Sequence, residues 1–126
     1  MKPRPISPFM LGPYYRPQLT SVLSITHRLT GMFLSLVGAP VLIWWLAALS
    51  GGPEDYQSMM NSLSGVPGKI LALAAVFSLS FHFFNGIRHL IWDTGRMLDI
   101  KDAYRSGWLV LAATLFTTGV LLGALL

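Results

Sequence analysis

An all-α membrane protein with three transmembrane helices is what this 126-residue sequence predicts. Composition is the first ground. The chain is 53% apolar and 11% charged, with a mean hydropathy of +0.58. A water-soluble domain averages about 25% charged residues, so this chain has too few charges to cover a water-facing surface. The second ground is length: Leu29–Leu49 and Gly107–Leu126 are uncharged runs of 21 and 20 residues. Each spans roughly 30 Å as a helix, the thickness of the hydrocarbon core. Third, Ile70 to about Ile91 is a further largely apolar run, whose ionisable residues are His82 and, near its exit, Arg88 and His89. The length allows one domain, residues 1–126, with spans at about 22–49, 69–93 and 105–126.

Met1–Pro17 holds five of the eight prolines and the pair Tyr14–Tyr15, which predicts an extended arm lying on the membrane or on another protein. Pro17 and the Thr20–Ser21 pair are helix-start signals. Pro40 falls inside the first span and is expected to kink it, while Trp44 and Trp45 mark an interfacial belt at its far end. Ser50–Lys69 reads as a loop around Gly51, Gly52, Pro53, Glu54 and Asp55, with a short surface helix over Asp55–Leu63. Trp92 closes the second span. Gly95–Ser106 is a polar connection with Arg96, Lys101 and Arg105, and Trp108 stands at the entry to the third span. Gly119 and Gly123 form a small-residue pair of the kind that packs helices in a bundle.

Basic residues set the orientation. Lys2, Arg4, Arg16 and Arg28 precede or open the first span, and Arg88, Arg96, Lys101 and Arg105 surround the second connection. The first loop has Lys69 alone, against Glu54 and Asp55. Positive residues stay inside, so the N-terminus and the second connection are expected in the cytoplasm, and the first loop and C-terminus outside. The net charge of +4 therefore speaks for topology rather than for nucleic acid. Met1–Met10 has three prolines and no apolar core, so it does not read as a signal peptide. Nor is it an Arg/Ser-rich transit helix, which favours a bacterial chain. With no cysteine, disulfides, iron–sulfur clusters and thiolate zinc sites are excluded within this sequence.

Chemistry concentrates in Ser78–Asp93. On a helix, His82, Gly86, His89 and Asp93 fall at offsets of four, seven and eleven and share one stripe. His82 lies thirteen residues past Lys69, about 20 Å into the span and about 9 Å before Arg88. An ionisable group at that depth is costly and usually faces a partner, a cavity or a cofactor. His89 and Arg88 sit at the inner boundary, and His27 and Arg28 sit at the same level of the first span. One deep imidazole beneath a ring of cations suits a haem: iron takes the neutral imidazole and the propionates face Arg and His. A hydrogen bond from His82 to a neighbouring helix accounts for the histidine equally well. For Gly31 and Gly86, helix packing and room for a flat cofactor both stand. Arg28 and Arg88 are also what the positive-inside rule alone requires. Ser24 lies one turn before Arg28, and the two can donate hydrogen bonds to a headgroup carbonyl. A low-spin electron-transfer haem commonly takes two axial side chains, and this sequence has one deep histidine. The second ligand would then come from another polypeptide.

Three blocks carry a resemblance: Arg4-Pro5-Ile6-Ser7-Pro8, the run Tyr15 to Gly31 with Ser24-x-x-His27-Arg28-x-x-Gly31, and His82-x-x-x-Gly86-Ile87-Arg88-His89-Leu90 with Asp93. Together they closely resemble the cytochrome b large membrane-anchor subunit of succinate dehydrogenase (succinate:quinone oxidoreductase, respiratory complex II), in its alphaproteobacterial and mitochondrial branch. The resemblance covers the whole chain. It implies that His82 is an axial ligand of haem b, the other histidine coming from the small membrane-anchor subunit. It implies that Ser24 and Arg28 line the ubiquinone site near the iron–sulfur subunit, and that His27, Arg28 and His89 lie near the haem propionates. FAD and the iron–sulfur clusters would reside in the flavoprotein and iron–sulfur subunits, so no succinate-oxidising centre belongs to this chain. Electrons of this tricarboxylic acid cycle step would reach quinone at the inner face of a bacterial inner membrane. Three spans here and three from the partner would make a six-helix bundle, of which this chain is half. Asn85 has no role in that pattern, and Phe9–Tyr14 departs from the His-Leu type sequence expected in the arm.

Three other readings compete. A fumarate reductase anchor shares the architecture and differs in direction and quinone. A small transporter would want polar groups along a path, yet before His82 the second span offers only Ser78 and Ser80. A structural membrane subunit without haem would use His82 for packing.

Overall fold

The computed structural model describes residues 17–125, so the N-terminal arm through Arg16 lies outside the described residues. Helix α1, Leu19–Phe33, passes through a turn of π-helix at Leu34–Gly38 into α2, Ala39–Gly51. α3 is Pro53–Leu63, α4 is Val66–Asp93 and α5 is Ile100–Leu125. No strand occurs among the described residues. Among the described residues, three helical stretches are long and apolar enough to cross a membrane: Leu19–Gly51, Val66–Asp93 and Ile100–Ala124. The all-helical, three-span class is therefore what the sequence predicts.

The disturbance expected at Pro40 takes the form of the π turn. Proline has no N–H, and its ring would meet the carbonyl four residues back in a regular helix. The chain answers one turn earlier, where the Ala39 N–H reaches the Leu34 carbonyl, five residues back. Such a widened turn inserts an extra residue without breaking the rod. α3 starts with Pro53 at its first turn and carries Glu54 and Asp55 there. Both suit a helix N-terminus, whose free N–H groups favour negative charge and do not need the missing proton. Gly52 makes the reversal into α3 with φ of +102°, a conformation open mainly to glycine. Met59 is buried beneath this surface helix.

α5 begins at Ile100, well before the uncharged run, so the polar connection is Thr94–Asp99 rather than Gly95–Ser106. Lys101, Asp102 and Arg105 occupy its first two turns, and the Ala103 N–H bonds the Asp99 carbonyl at 2.9 Å. Helical hydrogen bonding thus continues past the apolar boundary. The Trp92 indole N–H donates to the Met97 carbonyl at 3.0 Å, which holds the connection against the end of α4.

α1, α4 and α5 meet where Leu23, Phe81 and Val110 are buried together, with Leu19, Phe77, Phe84 and Leu111 around them. Gly107 permits the approach of α1 to α5: a Cβ there would stand 2.8 Å from Leu23 Cδ1. Ser78, Ser80, Thr114 and Thr118 are buried on α4 and α5, small residues of the sort that let membrane helices come close. Gly119 and Gly123 do not serve packing among the described residues, where a methyl group on either would meet nothing within 4 Å. Large apolar residues along the helices are exposed, Leu36 and Phe116 each at 74%. Hydrocarbon, or another apolar chain, is the surrounding that such faces fit.

Candidate functional site

The site is the seam between α1 and α4. Its centre is His82, whose Nδ1 lies 3.1 Å from the His27 backbone carbonyl. A carbonyl can only accept, so Nδ1 donates to it, and in the neutral imidazole Nε2 then carries the lone pair. Thr30, one turn further along α1, puts Oγ1 3.4 Å from the same Nδ1. The ring of His27 stacks on that of His82, centroids 4.0 Å apart and planes 7° from parallel. Gly31 closes the edge, since a Cβ there would fall 2.8 Å from His82 Cε1. The space left by Gly31 is therefore used by the His82 imidazole itself. Gly86 gives ordinary clearance to His27, with 3.9 Å from a built Cβ to His27 Cε1.

The stripe read from the sequence is real in part. His89 joins the cluster, 5.0 Å from the His27 ring and tilted 40° to it, with Trp92 edge-on at 5.2 Å. His27, His82 and His89 thus lie together at the α1–α4 seam, while Asp93 is exposed. His27 Nδ1 is buried with no hydrogen-bond partner among the described residues, so a polar atom from outside the chain would satisfy it. The three rings pack face to face or tilted. No three His, Asp or Glu side chains among the described residues converge to hold a metal ion.

Arg88 does not join a cationic ring beside the histidines. Six residues beyond His82, it stands about 120° away around the helix and points at α5. It is 4% exposed; Nε donates to Ser106 Oγ at 2.9 Å and Nη2 to the Ala103 carbonyl at 2.9 Å. The Trp92 ring covers it, 3.9 Å from Cζ to centroid. Asn85, for which the sequence offers no role, is fully buried and accepts from Arg88 Nη1 at 3.4 Å. Asn85 and Arg88 are three residues apart on one face, a spacing that was available in the sequence. Which neighbouring helix they face was not.

Ser24 and Arg28 lie one turn apart on α1, Ser24 half-buried and Arg28 exposed. Among the described residues neither side chain has a hydrogen bond or ion pair, so both are available to a ligand or another chain.

A three-span helical membrane protein with an imidazole cluster held between its first and second crossing helices is the class that fold and site define. The family described as Succinate dehydrogenase/Fumarate reductase transmembrane subunit matches residues 1–121, and the chain belongs to that family. It is 40% identical over 120 residues to the mitochondrial succinate dehydrogenase cytochrome B subunit of Schizosaccharomyces pombe, covering 92% of this chain and 66% of that one. It is 38% identical over 118 residues to the succinate dehydrogenase cytochrome b556 subunit of Rickettsia prowazekii, covering 94% and 90%. With the mitochondrial cytochrome b560 subunit of Homo sapiens it shares 40% over 119 residues, covering 91% and 68%.

Proposed function

We propose that this chain is the cytochrome b membrane-anchor subunit of a succinate:quinone oxidoreductase, with His82 as an axial ligand of haem b. One observation carries the reading: the His82 Nδ1–H is held by the His27 carbonyl, and Nε2 takes no hydrogen bond among the described residues. Metal-ligating histidines are commonly oriented in this way, the second nitrogen donating to a backbone carbonyl. The residues present fit the group. His82 supplies one neutral imidazole, His27 has a buried nitrogen without a partner, and His89 stands beside it, where propionates can accept hydrogen bonds. Bound haem supplies a one-electron carrier. The second axial ligand comes from a small anchor subunit, since the other imidazoles stack on or beside His82 rather than oppose it.

Ser24 and Arg28 form the quinone-binding pair. Both are donors on one face of α1 at the inner end of the span, and a quinone carbonyl gains negative charge as it is reduced. An iron–sulfur subunit docked on the cytoplasmic side delivers electrons there, and the flavoprotein subunit oxidises succinate. The basic residues support an N-terminus in the cytoplasm and a C-terminus in the periplasm of a bacterial inner membrane. The family description couples succinate dehydrogenase with fumarate reductase; the relatives named above are succinate dehydrogenase subunits, which favours ubiquinone reduction.

A reduced-minus-oxidised optical spectrum of membranes containing the chain with its partner subunits tests the proposal. A b-type spectrum is expected. An assembled complex without one sinks the haem assignment and leaves a structural anchor.

A further inference from the structure

The hydroxyl of Thr30 sits within the hydrogen bond that orients His82. Its Oγ1 lies 2.9 Å from the Thr26 carbonyl and 3.0 Å from the His27 carbonyl, so its single hydrogen is shared between the two. The His27 carbonyl therefore receives two donors: the Thr30 hydroxyl at 3.0 Å and the His82 Nδ1–H at 3.1 Å. Thr30 is buried, at 5% exposed, and His27 and His82 are half-buried. A carbonyl has two lone pairs and can serve both donors, but each draws on the same oxygen charge. The direct approach of Thr30 Oγ1 to Nδ1, at 3.4 Å, is at the outer limit of a hydrogen bond. Competition for the carbonyl is the stronger effect.

We propose that Thr30 is a positioning residue that moderates the His82-to-His27 hydrogen bond and thereby sets the reduction potential of the haem held at His82. The inference rests on the haem reading above. Its sign follows from ligand chemistry. A stronger bond from Nδ1–H to an acceptor gives the imidazole more negative character and makes Nε2 a better donor to ferric iron. Removing the Thr30 hydroxyl frees the His27 carbonyl for His82, strengthens that bond and favours the ferric state. The potential falls. An ordinary helix threonine, bonding back to its own carbonyls for its own satisfaction, would have no such effect.

Two variants separate these roles. Thr30→Val keeps the shape and removes the hydroxyl; Thr30→Ser keeps the hydroxyl and removes the methyl. Redox titration of the haem in purified complex is the readout, and it does not depend on turnover. Thr30→Val is expected to move the ferric-to-ferrous ratio at fixed solution potential roughly three- to tenfold toward ferric; tenfold corresponds to about 59 mV for a one-electron couple. Thr30→Ser should titrate with the parent. If Thr30→Val does not assemble, Thr30→Ala carries the same expectation with less bulk. A parental midpoint in the variants lacking the hydroxyl, a shift toward ferrous, or an equal shift in Thr30→Ser overturns the proposal. A parental complex that holds no haem fails differently: it overturns the cofactor reading itself.

Discussion

The imidazoles of His27 and His82 lie face to face, 4.0 Å apart and 7° from parallel. This relationship means that α1 governs the ring presented by α4. The His27 ring covers one face of His82, the His27 carbonyl takes its Nδ1–H, and Gly31 borders its Cε1 edge. A side chain constrained on three sides has little rotamer freedom left to lose when it binds a metal.

Loss of the imidazole itself is the most direct perturbation. If His82 holds the haem as proposed, His82→Ala is expected to abolish or convert the b-type spectrum of the complex, because an iron ligand is lost. Subunit content, read from a gel of the purified complex, can persist if a partner ligand retains the haem. An unchanged spectrum in a correctly assembled variant would show that His82 is not a ligand.

Crowding the ring should do damage without removing any functional group. In Gly31→Ala the new methyl would lie 2.8 Å from His82 Cε1, so the ring must turn out of its orientation. Haem retention is expected to drop roughly ten- to a hundredfold, the usual effect of disturbing a ligand's support. Gly38→Ala is the control, since its methyl meets Leu34 Cδ2 at an ordinary 3.5 Å. Equal haem content in both variants would remove Gly31 from the ligand's support.

Quinone chemistry can be separated from succinate oxidation. A charged hydrogen bond contributes about 1.5–3 kcal/mol, which is about ten- to a hundredfold in rate if realised mainly in the transition state. Arg28→Leu should therefore cut quinone reduction by at least about tenfold, while oxidation of succinate by a dye that takes electrons upstream continues. Ser24→Ala should act in the same direction and more mildly. Normal quinone turnover in Arg28→Leu enzyme of normal subunit content and dye activity would leave Arg28 with a topological role alone.

Arg88 calls for a stability measurement instead. It joins α4 to the start of α5 through Ser106 and Ala103 while nearly excluded from solvent. Arg88→Met leaves Asn85 Oδ1 without its donor and is expected to cost about 3 kcal/mol, seen as a lower melting temperature of the purified complex. Arg88→Lys should recover little, because an ammonium cannot span several acceptors in one plane as a guanidinium does. Full rescue by lysine would mean that charge, and not the forked geometry, is what α5 requires.

Helical periodicity made the stripe of His82, Gly86 and His89 legible, because it depends on backbone geometry alone. The shared level of His27 and His89 followed from counting residues from the membrane boundary. Arg88 was harder. Its place on α4 was fixed by the same period, but its partner depended on how α5 docks, and the apolar pattern of a membrane helix marks no single inward face. Asn85 was opaque for the same reason, since a buried amide acquires meaning only from the acceptor or donor across the interface. Pro40 announced a disturbance; that a π turn would absorb it one turn earlier depended on the balance of hydrogen bonds among Leu34–Gly38.

That π turn also divides the first crossing helix into two phases. One surplus residue sets everything after it back by about 100° relative to an uninterrupted α-helix. The half before it carries His27, Thr30 and Gly31, which border His82 of α4, and the proposed quinone pair Ser24 and Arg28. In the half after it, Val41 and Trp45 share an apolar hollow with Met59, Met60 and Leu63 of α3. Winding Leu34–Gly38 into regular α-helix with no residue removed would leave the first set in place and swing the second away from α3. The turn acts as a phase joint between the half of the helix that packs on α3 and the half that aims the imidazoles.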